Sequence, residues 1–261
     1  MLETKKNNRL RIALLHIAPK GGEVSSNRSQ IRSALAIAAG YEADLAVGPE
    51  LAESGYTFFN TIDAHSIPVF PNEFICDLKQ VARTYNMNLM IGFPERDLRT
   101  QRLYNALVYI DQHGYIQGTY RKIHVNTAKD MAWESCGSYG VVKEIQGIAA
   151  GFLLGEDLCY KDVAYQNQKM GAKILLAGTA WPEVEWDVTK EWQERSTETG
   201  LPLIVCNRTG LDGSIDFSQS TSMIIMPRQN AYRFSRVSPS VLIIDFDKSC
   251  NHFWVVGCMD L

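Results

Sequence analysis

The order of short apolar runs and helix-like segments constrains this fold more than any other feature of the chain. Arg11 to Ile17 form an apolar run suited to a buried strand, and residues 27–41 carry apolar side chains at helical spacing. The same strand, helix, strand order recurs at residues 44–47, 73–85 and 88–92. Strands that alternate with helices in this way predict an α/β or layered α+β fold, with helices on the faces of sheets.

The rest of the chain continues the pattern without a linker or a break in composition. Residues 104–111 and 115–120 predict a hairpin around Gln112-His113-Gly114, and an irregular stretch follows at 126–139. We therefore predict one domain over residues 1–261, with residues 1–10 as a flexible N-terminal tip. Further strands are predicted at 151–154, 173–176, 203–207, 222–226 and 241–246, and helices at 160–170 and 189–199.

Composition and charge exclude several classes of function. The net charge is -3 and basic residues are scattered, so no basic stripe for nucleic acid is expected. The apolar runs are far shorter than the roughly 20 residues that span a bilayer. Six cysteines without a CxxC pair and five dispersed histidines indicate a reduced chain with neither a metal site nor a cofactor. We expect a cytoplasmic protein that binds a small molecule.

Three motifs in a fixed order carry a family resemblance. The first is ADLAVGPELAESGY at residues 43–56, and the second joins Tyr104-Asn105 to YRKIH at 120–124. The third covers residues 151–182 and closes on Ala180-Trp181-Pro182. Together these motifs resemble the nitrilase (carbon-nitrogen hydrolase) superfamily. The resemblance implies a four-layer αββα sandwich, a homodimer and a small amide-type substrate.

The resemblance also implies roles for individual residues. Glu50 matches the glutamate that acts as general base on the nucleophilic thiol, which at its ordinary pKa is mostly protonated at neutral pH. Lys122 matches the lysine that stabilises the oxyanion, and the backbone N–H of Glu156 would be the second oxyanion donor. A further acid in the loop before the nucleophile is either Asp130 or Glu134, and Trp181 is expected to line the pocket.

The family's nucleophilic cysteine has two candidate positions in this chain. If Gly151 is the family glycine, Gly155 stands at the nucleophile position and the flanking elements align without a gap. If Cys159 is the nucleophile, Glu156 and Asp157 fall in a buried strand, where unpaired carboxylates cost several kcal/mol. The first alignment is favoured.

The function expected from this resemblance is hydrolysis of non-peptide carbon–nitrogen bonds in a small linear amide or N-carbamoyl compound. With Gly155 at the nucleophile position, this chain has no thiol for the covalent step. A binding or regulatory module that uses the same pocket, and an active enzyme with Cys159 as nucleophile, remain as alternatives. The chain also carries His16 where the family often has glutamine.

Overall fold

The computed structural model describes residues 8–63, 66–125, 133–183 and 187–261. The helices in these ranges are α1 (Val24–Gly40), α2 (Glu73–Tyr85), α3 (Lys161–Lys169) and α4 (Thr189–Thr199). The strands are β1 (Arg9–His16), β2 (Leu45–Val47), β3 (Asn88–Arg96), β4 (Leu103–Ile110), β5 (Ile116–Arg121), β6 (Val142–Ile145), β7 (Ile148–Leu154), β8 (Ile174–Gly178), β9 (Leu203–Cys206), β10 (Leu211–Asp212), β11 (Ile215–Asp216), β12 (Thr221–Ile225), β13 (Tyr232–Ser235), β14 (Ser240–Asp247) and β15 (His252–Asp260).

Helix α2 shows how local sequence sets the bounds of an element. The Asn72 side chain accepts a hydrogen bond from the backbone N–H of Ile75, at 3.1 Å, and so caps the N-terminus. Asn86 ends the helix in the left-handed conformation, with φ of 49°. The helix predicted at 73–85 has the observed bounds because an asparagine caps it at each end.

Within the described ranges, the strands form two large sheets and a short two-stranded ribbon. The first sheet has seven strands in the order β15-β14-β1-β2-β3-β4-β5, and the second has six in the order β13-β12-β9-β8-β7-β6. Strands β1, β2 and β3 run parallel to one another, as do β7, β8 and β9. Each sheet therefore has a parallel centre flanked by antiparallel strands.

The two sheets pack face to face and helices cover their outer faces. In β1, Leu10, Ile12 and Leu14 join the core shared with the second sheet. Ala13 and Leu15, on the opposite face of the same strand, join a core built with α1 and α2. This alternation follows from the two-residue period of a strand. Helices α3 and α4 lie against the second sheet. The predicted αββα sandwich is confirmed.

Some elements were not predicted from the sequence. Strand β6 has the sequence VKEI with two charged residues and a half-exposed surface, so it shows little hydrophobic contrast. Strand β15 is exposed over much of its length. A short 3-10 helix at Gly155–Cys159 lies between the strand predicted at 151–154 and the helix predicted at 160–170. None of the helices in the described ranges is long and apolar enough to cross a membrane.

The carboxyl ends of the parallel strands meet at one edge of the sandwich. Glu50 follows β2, Gly155 follows β7 and Ala180 follows β8, so segments of both sheets meet there. Open parallel sheets bind ligands beyond the carboxyl ends of their strands. This edge is therefore where a functional site is expected.

Candidate active site

The turn after β2 places the Glu50 side chain in the interior of the protein. Gly92 of β3 lies against this turn so closely that a Cβ on it would overlap the carbonyl oxygen of Pro49. Leu51 has a φ of 50°, in the left-handed region that non-glycine residues rarely adopt. Such backbone strain persists only where the surroundings enforce it, and it is common at functional sites. The Glu50 side chain is almost completely buried.

Groups from three segments of the described chain contact the Glu50 carboxylate. Oε1 accepts a hydrogen bond of 2.7 Å from Asn105 Nδ2, and Oε2 accepts one of 3.0 Å from the backbone N–H of Ala180. The ammonium of Lys122 lies 3.5 Å from Oε1. Glu50 and Lys122, far apart in sequence, are thus an ion pair at the edge where the strands end.

Lys122 is the centre of a buried charge cluster. Its Nζ lies 2.9 Å from Glu134 Oε1, and all three side chains of the cluster are at most 3 % exposed. The backbone N–H of Lys122 donates to the carbonyl of Asn105 at 2.8 Å. One ammonium therefore lies between two carboxylates, those of Glu50 and Glu134. The alternative acid, Asp130, lies outside the described residues.

Gly155 faces the Glu50 carboxylate. It begins the 3-10 helix with a φ of +53°, and a Cβ built on it would stand 2.6 Å from Glu50 Oε1 and 2.8 Å from Oε2. A side chain at position 155 would therefore point directly at a carboxylate. Sharp, strained turns after a strand are also where hydrolases of other folds expose their nucleophiles.

Cys159 lies in a different environment at the far end of the 3-10 helix. Its side chain is half-buried, and its carbonyl accepts a 2.7 Å hydrogen bond from Arg195 Nη1. Burial, together with the nearby carboxylates of Glu191 and Glu156, raises the pKa of the Cys159 thiol to about 12. A thiol with such a pKa stays protonated at neutral pH and is a weak nucleophile.

The remaining predicted residues lie near the cluster. Glu156 follows Gly155 in the 3-10 helix and is half-buried. Trp181 follows Ala180, and its backbone N–H and carbonyl pair with the side chain of Asn207 at 3.1 and 2.9 Å. Trp181 lines a cavity of about 110 Å³, together with Trp192, Asn207 and Arg233 among others. No three His, Cys, Asp or Glu side chains in the described ranges converge as metal ligands.

Asn105 is a partner of Glu50 to which sequence reasoning assigned no role. It lies in β4, all eight residues of which are buried, and is itself 1 % exposed. A polar amide inside an otherwise apolar strand requires a hydrogen-bond partner. That mismatch was the available signal, and the partner proves to be the Glu50 carboxylate.

His16 ends β1 close to the same edge and is completely buried. Nε2 lies 3.2 Å from the carbonyl of Arg236, and Nδ1 lies 3.0 Å from the carbonyl of Asn207 and 3.1 Å from Ser222 Oγ. Only one ring nitrogen of a neutral imidazole carries a hydrogen, so the neutral ring cannot donate to both carbonyls. Burial lowers the pKa of His16 to about 4, against the opposing effect of the backbone carbonyls.

The lowered pKa of His16 predicts a pH-dependent stability. Above pH 6.5 the imidazole is neutral in both the folded and the unfolded chain, and between pH 6.5 and 4 it is protonated in the unfolded chain alone. The free energy of unfolding should therefore decrease as the pH is lowered from 6.5 to 4, by roughly 3 kcal/mol in total. Urea unfolding of the parent and of His16→Gln across pH 4–7 isolates the effect. Parallel pH profiles for the two proteins would contradict the prediction.

The structure thus combines an αββα sandwich with a buried Glu50–Lys122 pair at the ends of its parallel strands. The chain belongs to the carbon-nitrogen hydrolase family, since the model of that family matches residues 11–250. Sequence resemblance and observed fold thus lead to the same family.

Individual relatives agree with this assignment. A nitrilase of Pyrococcus abyssi is 30% identical over 224 residues, which cover 84% of this chain and 82% of the relative. A probable nitrilase of Schizosaccharomyces pombe is 27% identical over 220 residues, covering 82% and 79%. The crystal structure of a cysteine-to-alanine mutant of an amidase from Nesterenkonia AN1 superposes with a TM-score of 0.81, at 22% identity, covering 92% of this chain and 91% of the amidase. This last likeness concerns the fold.

Proposed function

We propose that this chain carries the binding and acid–base groups of a hydrolase of small linear amides or N-carbamoyl compounds, but not its nucleophile. The observation that carries the proposal is the direction of a side chain at position 155, which points at the Glu50 carboxylate. A general base must lie within hydrogen-bond reach of the group it deprotonates. Glu50 meets this requirement for a thiol at 155, a position that glycine occupies.

The other groups have complementary tasks in this proposal. Lys122 and the backbone N–H of Glu156 would bind the carbonyl oxygen of the substrate, where charge develops during attack on the carbon. Glu134 holds the Lys122 ammonium at 2.9 Å and so fixes its direction. Trp181 follows Ala180, whose backbone N–H binds Glu50, and would contact the substituent on the substrate carbon. These groups bind an amide without requiring that any bond to it form.

A related amidase supports binding without a thiol. A solved structure shows the cysteine-to-alanine mutant of the Nesterenkonia amidase in complex with butyramide. Position 155 of this chain is glycine, which lacks even the methyl group of that alanine. The proposal is therefore that a short amide occupies the site and is not converted.

Cys159 is the alternative nucleophile, and its surroundings argue against that role. Strand β7 ends at Leu154, so position 155 is the first residue beyond the strand, and Cys159 lies four residues further on. The charges that act on its thiol are chiefly carboxylates, which oppose thiolate formation.

Calorimetric titration with butyramide, acetamide and an N-carbamoyl amino acid tests the proposal. At least one of these compounds is expected to bind saturably with one site per chain, while a sensitive ammonia assay stays at background. Cys159→Ala is the matched control and should bind equally well. Absence of saturable binding would contradict the proposal. Ammonia release that Cys159→Ala abolishes would identify Cys159 as the nucleophile instead.

The homodimer implied by the family resemblance stays a prediction. Light scattering coupled to size-exclusion chromatography measures it directly, with an expected mass of twice the 29.3 kDa of one chain.

A further inference from the structure

We propose that Asp157 is a positioning residue that fixes the position of Lys122 relative to the turn at position 155. Asp157 lies in the 3-10 helix two residues after Gly155 and is completely buried. Its effect on a reaction rests on the function proposed above, whereas its effect on Lys122 does not. The role follows from the groups that its carboxylate binds.

The Asp157 carboxylate binds donors on both sides of Lys122. Oδ2 accepts a 2.6 Å hydrogen bond from the hydroxyl of Tyr120, two residues before the lysine. Oδ1 accepts a 2.8 Å hydrogen bond from the backbone N–H of His124, and the N–H of Ile123 lies 3.2 to 3.3 Å from the two oxygens. One side chain of the 3-10 helix thus binds the Tyr120 side chain, two residues before Lys122, and the backbone directly after Lys122.

This arrangement sets the distance between the two expected oxyanion donors. Lys122 approaches the site from the end of β5, whereas Glu156 belongs to the 3-10 helix itself. Among the hydrogen bonds of the described residues, those of Asp157 connect the two segments directly. A displacement of about 1 Å in a catalytic group can cost about 100-fold in rate, so a rigid connection at this point matters for transition-state stabilisation.

The chemistry of the Asp157 contacts favours a positioning role over simple packing. Its three donors are a hydroxyl and two backbone N–H groups, all of them neutral. Burial of a carboxylate among neutral groups is unfavourable, and here it raises the pKa of Asp157 to about 6 despite these hydrogen bonds. An apolar side chain would fill the space but could not hold two backbone N–H groups and a phenol.

A second carboxylate, Asp162, contacts the same segment of residues 120–124 and provides a matched control. Asp162, in the first turn of α3, contacts His124 through the imidazole, with Nε2 2.9 Å from Oδ1. Its side chain is 63% exposed. Asp162→Asn therefore makes the same chemical change next to the same segment without touching the backbone N–H groups that flank Lys122.

The experiment compares Asp157→Asn, Tyr120→Phe and Asp162→Asn in two backgrounds. In the chain as given, ¹H–¹⁵N spectra of the Lys122 ε-ammonium should show a shifted signal and faster proton exchange for the first two variants only. In a Gly155→Cys background, Asp157→Asn should lower kcat for butyramide about 10- to 100-fold with KM within about threefold. Tyr120→Phe should lower kcat less, because the two backbone donors remain.

The outcomes separate this inference from the proposed function. An unchanged Lys122 signal in both Asp157→Asn and Tyr120→Phe would overturn the positioning role, even if the melting temperature fell. An equal response of Asp162→Asn would also overturn it. If Gly155→Cys shows no turnover while the Lys122 signal responds as expected, the proposed function fails and the positioning role stands. Should Asp157→Asn not fold, Tyr120→Phe decides by the same signal.

Discussion

Gly155→Cys is expected to give this chain amidase activity, with ammonia release from butyramide on the order of 10³-fold or more above the chain as given. The estimate follows from hydrolases in which removal of the nucleophile costs about 10⁶-fold, of which a site without further adjustment should recover a part. The thiol would stand beside the Glu50 carboxylate, which can take its proton. Lys122 and the Glu156 N–H would stabilise the oxyanion.

The substitution also has a structural cost that can be measured. Residue 155 has a φ of +53°, which disfavours any residue with a Cβ by about 1–2 kcal/mol. The Cβ would stand 2.6 Å from Glu50 Oε1, so the carboxylate has to move by several tenths of an ångström. Because this carboxylate is held by Asn105 and the Ala180 N–H, the movement lengthens these hydrogen bonds and adds to the cost. A melting temperature a few degrees below that of the parent is expected.

Gly155→Ala is the matched control for this prediction. It introduces the same backbone strain and the same contact with Glu50 but no thiol, so it should be equally destabilised and release no ammonia. Adding Glu50→Gln to Gly155→Cys should remove most of the gained activity, because the amide cannot accept the proton. Equal ammonia release by Gly155→Ala and Gly155→Cys would show that position 155 is not the nucleophile position.

Much of the fold could be predicted because its strands and helices are local and strongly patterned. Strand β1 alternates between two apolar cores and therefore reads as one apolar run. Helix α2 is bounded by two asparagines that act as caps. In contrast, β6 and β15 owe their pairing to neighbouring strands, and their exposed surfaces carry no periodic signal. Tertiary context decides such elements.

The candidate site, like the fold, could be predicted from the sequence only in part. The positions of Glu50 and Lys122 followed from family motifs at strand ends, and the structure brings the two side chains together. The contact of Glu134 with Lys122 could not be derived, because the direction of a loop residue depends on the folded loop. The Asp157 contacts could not be predicted either, because they depend on a 3-10 helix that no sequence periodicity indicates.

Lys122→Met is expected to destabilise the fold by about 3–5 kcal/mol, because it leaves two buried carboxylates without their shared ammonium. Methionine replaces the side chain as far as Cε and lacks only the ammonium, so loss of packing contributes little. Urea unfolding at pH 7.5 measures the change, and the exposed Lys173→Met should stay within about 0.5 kcal/mol of the parent. Adding Glu134→Gln to Lys122→Met should restore part of the loss, since one buried charge is then removed. If Lys122→Met were no more destabilising than Lys173→Met, the buried charges would not be coupled as the distances imply.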